Sequence, residues 1–434
     1  MKPQLNSNTE YKQTELGPLP KEWEVVRLGE SVLEVKTGDW GKDNNVTEGV
    51  ESYVIRGTDF LNLLRAKFDN IPVRRIQEKS LKLRCLKAGE VLIELSGGSK
   101  DQPTGRILII TQKIINSASK PLCFSNFVKK LHLKPNVDAE FFYLFWQYLY
   151  NKGVTKIYEK RTTGIRNFKL TDFLGNEYIP LPPLSEQKAI AAVLSAIQEA
   201  KEKTEAVITA TKELKKSMMK HLFTYGPVSL KETDKVELKQ TELGPLPKEW
   251  DVVRLGDVAE IYAGGDISKL KFSKVKTDKF IYPIYSNSKE NNGLYGFSDT
   301  YKFSENSITI TGRGNLGWAI PRYEKFNAII RLLVLLPKLD LDIKFLSEYF
   351  NSNIRINFEG SSIPQLTVPK VSMYLIPLPP LPIQQKIASI LSAIDEKIEA
   401  EVNKKKALEA LFKSMLHHLM TGKVRVKDLR LGDL

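Results

Sequence analysis

The side chains best suited to chemistry in this sequence are basic, amide and small polar residues in glycine-punctuated loops, with aromatic residues nearby. Arg and Lys form paired hydrogen bonds with guanine and Asn and Gln with adenine, whereas Ser, Thr and Lys bind phosphates. These residue types predict contact with a nucleic acid, against the alternative that each is a solvated loop residue. In the first half of the chain the candidates are Lys36, Trp40, Lys42, Arg56, Arg74, Arg75, Ser99, Lys100, Gln102, Thr104, Arg106, Arg161, Arg166 and Asn167. In the second half they are Lys269, Lys271, Lys274, Asn287, Asn291, Arg313, Asn315 and Gln365.

Two glycine-linked segments, SGGSKDQPTGR (96–106) and TGRGN (311–315), are the strongest candidates because glycine lets a backbone approach a ligand closely. The net charge of +14 and the pI near 9.3 favour a polyanionic partner such as DNA or RNA. A lysine-rich surface that only improves solubility is the alternative. The two long helices described below carry little of this charge, so most of it lies in the segments between them.

The usual signatures of catalysis are missing from the sequence. It has no NPPY or DPPY tetrapeptide of an amino-methyltransferase, no GxxxxGK[ST] phosphate loop, no HExxH and no GxSxG. Glu34-Val35-Lys36 resembles half of a nuclease acidic motif, but no Pro-Asp pair completes it. We therefore expect a non-catalytic chain that has no cofactor and no metal site of its own.

Composition indicates a folded protein of a reducing compartment. Hydrophobic residues make up 42% of the 434 residues, which is enough for two or more domains with cores of their own. Cys85 and Cys123 form no CxxC pair, so neither a disulfide framework nor a zinc site is indicated. No apolar run is long enough to span a membrane, and the first residues lack the apolar core of a signal peptide. The expected location is the cytoplasm.

A proline-rich strand end that leads into a long amphipathic helix occurs twice. The two copies begin at Ile179 and Ile376, an offset of 197 positions without insertion or deletion. Apolar residues recur every three or four positions, which predicts a helix from Ser185 to Leu222 and a second one ending at Leu419. The predicted seams are Ile190, Leu194, Ile197, Thr204, Ile208, Thr211, Leu214 and Met218 in the first copy and Ile387, Leu391, Ile394, Ile398, Leu408, Leu411 and Met415 in the second.

The ends of these helices also carry signals. Ser185 suits an N-cap, Pro382 suits the first helical turn, and Gly226 and Gly422 suit the C-terminal ends. The first helix, about 57 Å long at 1.5 Å per residue, is too long to be covered by a small globule. We therefore expect the two seams to pack against each other.

A second duplicated segment precedes each variable region. The sequence from Gln13 to Trp23, here called the opening motif, is repeated letter for letter from Gln240 to Trp250. The offset is 227 for this motif and 197 for the helices, so the first variable region is 30 residues longer than the second. Each variable region lies between the same opening motif and the same long helix. This pattern predicts one scaffold that presents two different recognition domains.

The two variable regions read as mostly β domains with small helices. Short apolar runs at 53–56, 89–95, 105–111 and 127–133 predict strands in the first, and a helix follows from Ala139. Runs at 280–285, 307–312 and 328–337 and a helix around 344–351 repeat this plan in the second. The expected organisation is an N-terminal segment (1–22), a first recognition domain (23–184), a helix (185–224), a linker with the repeated motif (225–249), a second recognition domain (250–381), a helix (382–420) and a tail (421–434).

This combination resembles the specificity subunit of type I restriction-modification systems over nearly the whole chain. The resemblance rests on the duplicated LPxxW opening, on PLPPL-SEQ at Pro180 to Gln187, on PLPPL-PIQ at Pro377 to Gln384, and on the TGIRNF and GSSIPQL loops. The second copy departs from the family pattern PPLxEQ, because Ile383 stands where the first copy has Glu186.

The resemblance implies an α+β fold with a pseudo-two-fold internal repeat. Two target recognition domains would each read one half of a split DNA target, separated by two long helices that form an antiparallel coiled coil. That coiled coil would set the spacer and dock two adenine-methyltransferase (M) subunits, and restriction (R) subunits would join them. S-adenosylmethionine, ATP and Mg²⁺ would belong to those partners. A rod of 57 Å permits at most roughly 17 bp, and reading one face of the duplex favours half-sites about one helical turn apart.

Three alternatives stay open. The chain could be the recognition subunit of a type IIB or IIG modification enzyme, which differs in partner and not in mechanism. It could instead be a coiled-coil scaffold whose β domains bind protein, or a standalone methyltransferase. Salt-dependent binding to duplex DNA separates the DNA readers from a scaffold, and methyl transfer by the purified chain would identify a methyltransferase.

Overall fold

The computed structural model describes residues 10–43, 46–99, 102–162, 165–314, 316–338, 340–354, 356 and 365–429. The chain forms two compact units, of which the first comprises Met1–Lys203 and Lys405–Leu434 and the second Thr204–Lys404. The boundary between the units therefore falls inside both long helices. Each unit contains one opening motif and one variable region, and each is built on the same plan.

The first repeat is mostly strands, with short helices between them. Its strands are β1 (Tyr11–Thr14), β2 (Gly17–Pro20), β3 (Glu24–Arg27), β4 (Val32–Thr37), β5 (Val50–Ile55), β6 (Val73–Ile76), β7 (Val91–Glu94), β8 (Ser96–Gly97), β9 (Ile107–Ile109), β10 (Leu122–Phe124), β11 (Val128–Leu133), β12 (Glu159–Thr162), β13 (Ile165–Phe168) and β14 (Tyr178–Leu181). Its helices are α1 (Phe60–Leu64), α2 (Glu78–Arg84), α3 (Gln112–Ser117), α4 (Ala139–Asn151), α5 (Val154–Ile157), α6 (Leu170–Asn176) and the long α7 (Leu184–Tyr225).

The second repeat has the same character. Its strands are β15 (Leu238–Thr241), β16 (Gly244–Pro247), β17 (Asp251–Arg254), β18 (Ala259–Ala263), β19 (Phe272–Ser273), β20 (Tyr282–Tyr285), β21 (Leu294–Ser298), β22 (Ser307–Ile310), β23 (Ala319–Arg322), β24 (Asn327–Ala328), β25 (Leu333–Pro337) and β26 (Leu375–Leu378). Its helices are α8 (Leu255–Val258), α9 (Ile343–Asn353), α10 (Val368–Ser372) and the long α11 (Leu381–Met420).

Strand pairing shows that the internal repeat is structural as well as sequential. The four-stranded antiparallel sheet β4-β11-β7-β9 of the first repeat has its counterpart in β18-β25-β22-β23 of the second. The parallel pair β5–β10 likewise corresponds to β20–β24. The α+β class and the internal repeat expected from the sequence are confirmed.

The opening motif folds in the same way in both repeats. In the first, the Thr14 hydroxyl donates to the carbonyl of Gly17 at 2.7 Å and accepts from the Leu16 amide, which closes a two-residue turn. Thr241 closes the second turn with the same 2.7 Å bond. The motif ends in a buried tryptophan, Trp23 or Trp250, that packs into the core of its unit.

The long helices pair in opposite directions within each unit. In the first unit Ile190 and Leu194, near the start of α7, share a core with Leu416 and Leu419 near the end of α11. In the second unit Leu222, near the end of α7, shares a core with residues near the start of α11, including Ile387 and Leu391. The antiparallel coiled coil is confirmed.

Among the described residues, no helix is apolar enough over a sufficient length to cross a membrane.

Two local predictions about the helices need correction, and a third is confirmed. Helix α7 begins at Leu184, with the amides of Glu186 and Gln187 bonded to the carbonyl of Pro183, so Ser185 lies inside the first turn and is not the N-cap. Leu214 is 52% exposed and lies outside the seam, whereas Lys215 faces inward to form the ion pairs described below. Gly226 and Gly422 adopt the left-handed conformation expected at the helix ends.

Two further differences concern strands and the linker. The apolar run 328–337 is not one strand, because β24 ends at Ala328 and β25 begins at Leu333. Between them Ile330 and Arg331 adopt positive φ angles of 53° and 57°, so the chain turns sharply. The expected linker with the repeated motif (225–249) contains a 3₁₀ turn from Leu230 to Lys235 and the strands β15 and β16.

Candidate nucleic-acid interface

Four loops of the first repeat converge at one end of its strands. We call residues 38–43, 56–59, 95–99 and 125–127, which follow β4, β5, β7 and β10, the first loop cluster. They lie so close together that a Cβ on Gly38 would clash with the carbonyls of Phe124 and Ser125, and one on Gly57 would clash with Glu94. A pocket of about 480 Å³ opens between the loops, and residues of all four line it. Trp40 and Arg56 are the two sequence candidates that the fold brings together in this pocket.

The hairpin formed by β12 and β13 packs on the third of these loops. Asn167 is paired with Ser96 in the strand register, and the Ser96 hydroxyl donates to the Asn167 side-chain oxygen at 2.5 Å. Arg166 donates to the buried Glu159 carboxylate at 2.9 Å, and the same carboxylate accepts from the Thr104 amide at 3.0 Å. Arg166, Asn167 and the buried Thr104 therefore hold the hairpin and the loop together.

Arg106 lies beneath the pocket and is mostly buried. Its guanidinium donates two hydrogen bonds, at 2.8 and 2.5 Å, to the buried carboxylate of Glu94. The hydrogen bonds to Glu94 outweigh burial and raise the pKa of Arg106. The ion pair neutralises two buried charges beside the first loop cluster and links the end of β7 to the residue before β9.

The other basic candidates of the first repeat lie around the cluster and are engaged in ion pairs. The guanidinium of Arg74 lies 5.1 Å from the centre of the Trp40 ring and is paired with Asp43, while Arg75 contacts Glu51 at 3.2 Å. Arg56 is tied to Asp59 at 2.9 Å, and the Asp59 hydrogen bond raises the pKa of Arg56. Lys36 lies 3.1 Å from Glu34, and Lys42, the most exposed of these five side chains, lies 3.8 Å from Glu48.

In the segment SGGSKDQPTGR, the described residues Ser99 and Gln102 are bonded to each other. The Ser99 amide donates to the Gln102 carbonyl at 2.7 Å, and the Gln102 amide donates back to the Ser99 hydroxyl at 3.1 Å. Both residues are exposed. Lys100 and Asn315 lie outside the described residues, and so do the side chains of Arg161 and Lys269.

The second repeat forms an equivalent cluster from different residues. We call residues 264–266, 286–289, 312–314 and 329–331, which follow β18, β20, β22 and β24, the second loop cluster. Asn287 fastens it, because its side-chain nitrogen donates to the Ile330 carbonyl at 2.6 Å and its side-chain oxygen accepts from the Gly312 amide at 2.7 Å. Arg313 is exposed in the third loop.

Sequence reasoning missed three residues of the second loop cluster. Arg331 is exposed on the turn that interrupts the apolar run, and Ile330 beside it is 46% exposed although it is β-branched and has a positive φ. The apolar run 328–337 predicts one continuous strand, and this prediction gives no sign that either side chain lies on an exposed turn. Lys289 was also missed, and its ammonium lies 4.9 Å from the centre of the exposed Trp318 ring.

The remaining candidates of the second repeat lie outside the four loops that define the second loop cluster. Lys274 lies 3.4 Å from the centre of the Tyr295 ring and donates to the Tyr295 carbonyl at 3.2 Å. Lys271 is exposed, and Asn291 is exposed in a turn with a positive φ of 47°. Gln365 is half-buried at the start of the segment that leads to α10.

A buried glutamine fixes each recognition domain to the start of a long helix. In the first unit the Gln187 side chain accepts from the Asp138 amide at 2.9 Å and donates to the carbonyls of Asn136 and Pro182 at 3.0 and 2.9 Å. In the second, Gln384 accepts from the Asp342 amide at 2.9 Å and donates to the Pro379 carbonyl at 2.8 Å. The glutamine shared by both PLPPL motifs thus joins the cap of α4 or α9 to the proline segment.

The departure of Ile383 from the family pattern is matched by a second change. In the first unit Glu186 accepts two hydrogen bonds from Arg425, at 2.5 and 2.6 Å, and one from the Trp23 indole at 3.1 Å. Arg425 also contacts Glu22 at 2.8 Å, and the bond to Glu186 is the main reason that its pKa is raised. Counting from Gly226 and Gly422, the position of Arg425 is occupied in the second unit by Ser229.

The second unit has a different ion network at its helix junction. Lys215 of α7 contacts Glu348 of α9 at 2.9 Å and Asp395 of α11 at 2.7 Å, and Lys344 contacts the same two carboxylates. Burial would raise the pKa of Asp395, but the hydrogen bonds from Lys215 and Lys344 outweigh it and lower that pKa. Among the described residues, no group of three or more His, Cys, Asp or Glu side chains is arranged to hold a metal ion.

The fold and the site together define a class of protein in which two related α+β domains present different loop clusters and are joined to paired long helices. Residues 20–213 and 247–410 match the family described as type I restriction modification DNA specificity domain. The chain therefore belongs to the specificity subunits of type I restriction-modification systems. That family assignment agrees with the resemblance found in the sequence.

Individual relatives are similar over almost the full chain. The type I restriction enzyme MjaVIII specificity subunit of Methanocaldococcus jannaschii is 28% identical over 438 residues, which cover 95% of both chains. The putative MjaX specificity subunit of the same organism is 27% identical over 98% of this chain and 99% of its own. The fold is similar to the crystal structure of a type I restriction-modification S subunit from M. genitalium, with a TM-score of 0.60 at 16% identity over 96% of this chain and 98% of that one.

Proposed function

We propose that this specificity subunit binds duplex DNA and reads one half of a bipartite target with each recognition domain. The observation that carries the proposal is that one framework presents two differently built loop clusters. Strand register makes Glu94 equivalent to Thr311, Arg106 to Trp318 and Phe127 to Arg331. Equivalent positions with different hydrogen-bonding groups are what two different half-sites require.

The exposed and half-exposed cations are the proposed contacts to the DNA backbone and bases. Lys36, Lys42, Arg313 and Arg331 are free enough of burial to reach a duplex. Arg106, Arg166 and Thr104 have their polar groups committed to buried carboxylates, so their proposed contribution is to fix the loops. Because phosphate contacts release counterions, binding should weaken steeply as salt is raised.

The paired helices are proposed to set the spacer and to dock two methyltransferase subunits, with restriction subunits joining the complex. One solved structure that resembles this chain, with a TM-score of 0.50, is described as showing complex assembly and conformational transition of a type I restriction-modification system. S-adenosylmethionine, ATP and Mg²⁺ would be bound by those partner subunits in the cytoplasm. This chain would supply specificity and no catalytic group.

A domain exchange tests the proposal. Residues 24–177 are replaced by the corresponding segment of a relative, and methylated adenines are mapped in cells that express the chimera with its methyltransferase subunits. We expect one half of the target to change and the other half to stay. The reciprocal exchange of the second recognition domain is the matched control, and it should change only the other half. Unchanged methylation sites after both exchanges would contradict the proposal.

A further inference from the structure

The pocket of the first loop cluster has the walls of a site for a flat, polar ring. Trp40 and Phe127 contribute aromatic surface, and Phe127 is 58% exposed although it is a large apolar side chain. Arg56, Thr58 and Asn126 bring polar groups to the same opening. Aromatic walls with a few convergent polar groups are typical of pockets that bind small ring systems.

A buried hydroxyl in the wall of this pocket has no partner. Ser125 is buried and lines the pocket, and its side-chain oxygen makes no hydrogen bond within the described part of the chain. A buried hydroxyl without a partner is unfavourable, so such groups are rare unless something else satisfies them. A ligand with a hydrogen-bonding edge would remove that cost.

The pocket depends on features that are specific to the first repeat. Gly57 lines it, and a side chain there would clash with the carboxylate of Glu94, which is held from below by Arg106. In the second repeat the position of Gly57 is occupied by Asn287, whose side chain bridges Ile330 and Gly312. The smaller Thr311 in place of Glu94 leaves room for that side chain. One repeat therefore keeps open the space that the other uses to fasten its loops.

The place and size of the pocket restrict its occupant. It lies between the loops proposed to read DNA, and its volume of about 480 Å³ is enough for a single base. We propose that the first recognition domain takes one base of its half-site out of the duplex and holds it between Trp40 and Phe127. This inference rests on the proposed DNA-reading function and adds an everted base that is distinct from the methylated adenine.

The geometry assigns a role to each wall of the pocket. The rings would stack on the base, since stacking of a base on an aromatic side chain is sequence-tolerant and strong. The Ser125 hydroxyl and Arg56 would bind its hydrogen-bonding edge, which is exposed once pairing is broken. Breaking one pair costs energy, and a pair that is already broken should therefore bind more tightly.

The experiment uses the complex of this chain with its methyltransferase subunits and duplexes that contain the mapped target. Each base of the first half-site is removed in turn, one abasic site per duplex, and the pair that carries the methylated adenine is left out because methyltransferases evert that base. At one pair, removing the partner base should tighten binding about tenfold, while removing the everted base should weaken it. Absence of such an opposed pair of effects, with sequence-specific binding intact, would overturn the pocket proposal and leave the DNA-reading function standing.

Variants locate the base in the pocket. Phe127→Ala removes an exposed stacking surface, and Thr58→Trp fills the opening, so each should abolish the tenfold gain. Leu83→Ala is the matched control because Leu83 is 55% exposed on the same domain but does not line the pocket. A gain that survives both pocket variants would show that the base is held elsewhere. Pocket variants that impair assembly with the methyltransferase subunits but keep the gain would show that the pocket binds a protein side chain.

Ser125→Ala provides a test that does not depend on stacking. Loss of an unpartnered hydroxyl should leave thermal stability unchanged or raise it, yet it should weaken binding of the target several-fold if the base uses that hydroxyl. A loss of stability would instead show that the hydroxyl has a structural partner and would remove this support. No change in either property would contradict a role for Ser125 in binding.

Discussion

Replacing Glu186 by isoleucine and Arg425 by serine, singly and together, converts the first helix junction into the arrangement of the second. The two side chains are mostly buried, with Glu186 13% and Arg425 5% exposed, and they share hydrogen bonds of 2.5 and 2.6 Å. The second unit has Ile383 and Ser229 at the equivalent positions. The double variant should therefore suit its surroundings better than either single variant.

The magnitude follows from what each change leaves behind. Removing one partner of a buried ion pair costs about 3–5 kcal/mol, because the other charge stays buried and unpaired. Arg425 would keep Glu22 at 2.8 Å, so Glu186→Ile is expected at the low end, about 3 kcal/mol. Arg425→Ser leaves the Glu186 carboxylate with only the Trp23 indole and should cost a similar amount. The double variant should cost about 2 kcal/mol, well below the sum of the two single losses, because no charge is left unpaired although the Trp23 indole loses its acceptor.

Chemical unfolding followed by tryptophan fluorescence can measure the cycle, because Trp23 is buried in this junction. The two units need not unfold together, so the transition that involves Trp23 is the one to compare. In a thermal unfolding experiment, each single variant should lower the melting temperature of the first unit by roughly 6–12 °C. This range corresponds to a loss of about 3 kcal/mol at 2–4 °C per kcal/mol for a unit of this size. Glu22→Gln is the control and should change little, because Glu22 is exposed. Additive losses in the double variant would refute the reasoning.

Three further predictions concern the buried glutamines, Asp395 and the length of the two long helices. Gln187→Leu should destabilise the first unit by about 2–3 kcal/mol. Gln384→Leu should destabilise the second unit by about 1 kcal/mol less, because Gln187 makes one more hydrogen bond than Gln384. The unfolding transitions of the two units, measured separately, would show this difference. Because the pKa of Asp395 is lowered, its ionised form stabilises the second unit at pH values above the ordinary pKa of 3.8, and this stability is lost as the pH falls through the lower native pKa. Asp395→Asn should therefore reduce the loss of stability at acid pH. An unchanged loss at acid pH would show that other carboxylates cause it. Inserting four residues after Thr209 and after Lys406, which are equivalent positions, adds about 6 Å to both helices and should lengthen the gap between half-sites by one or two base pairs in methylation maps, without altering either half. An unchanged gap would show that the helices are not the spacer.

The sequence predicts the framework well because its signals are local or periodic. Three- and four-residue spacing identifies both long helices within a few residues, and the duplicated opening motif identifies the two repeats. The errors occur where a tertiary contact overrides a local signal. Ser185 is of a residue type that caps helices, but the carbonyl of Pro183, two residues earlier, already accepts the first helical hydrogen bonds. Leu214 has the spacing of a seam residue, but Lys215 takes the inward position because it pairs with two carboxylates there.

The candidate site was less predictable, for a physical reason that the two repeats make plain. Residue type and glycine punctuation correctly indicate where the loops lie, but they do not show which cation forms an ion pair with a buried carboxylate. Arg106 is neutralised by Glu94, twelve positions earlier, while Arg331 is hidden in an apolar run and exposed by a turn that depends on Asn287, more than forty positions earlier. Loop contacts of this kind vary while the sheets stay the same, so a reader built this way can change its target without refolding its scaffold. The part of the chain that is hardest to predict from sequence is therefore the part in which specificity would evolve.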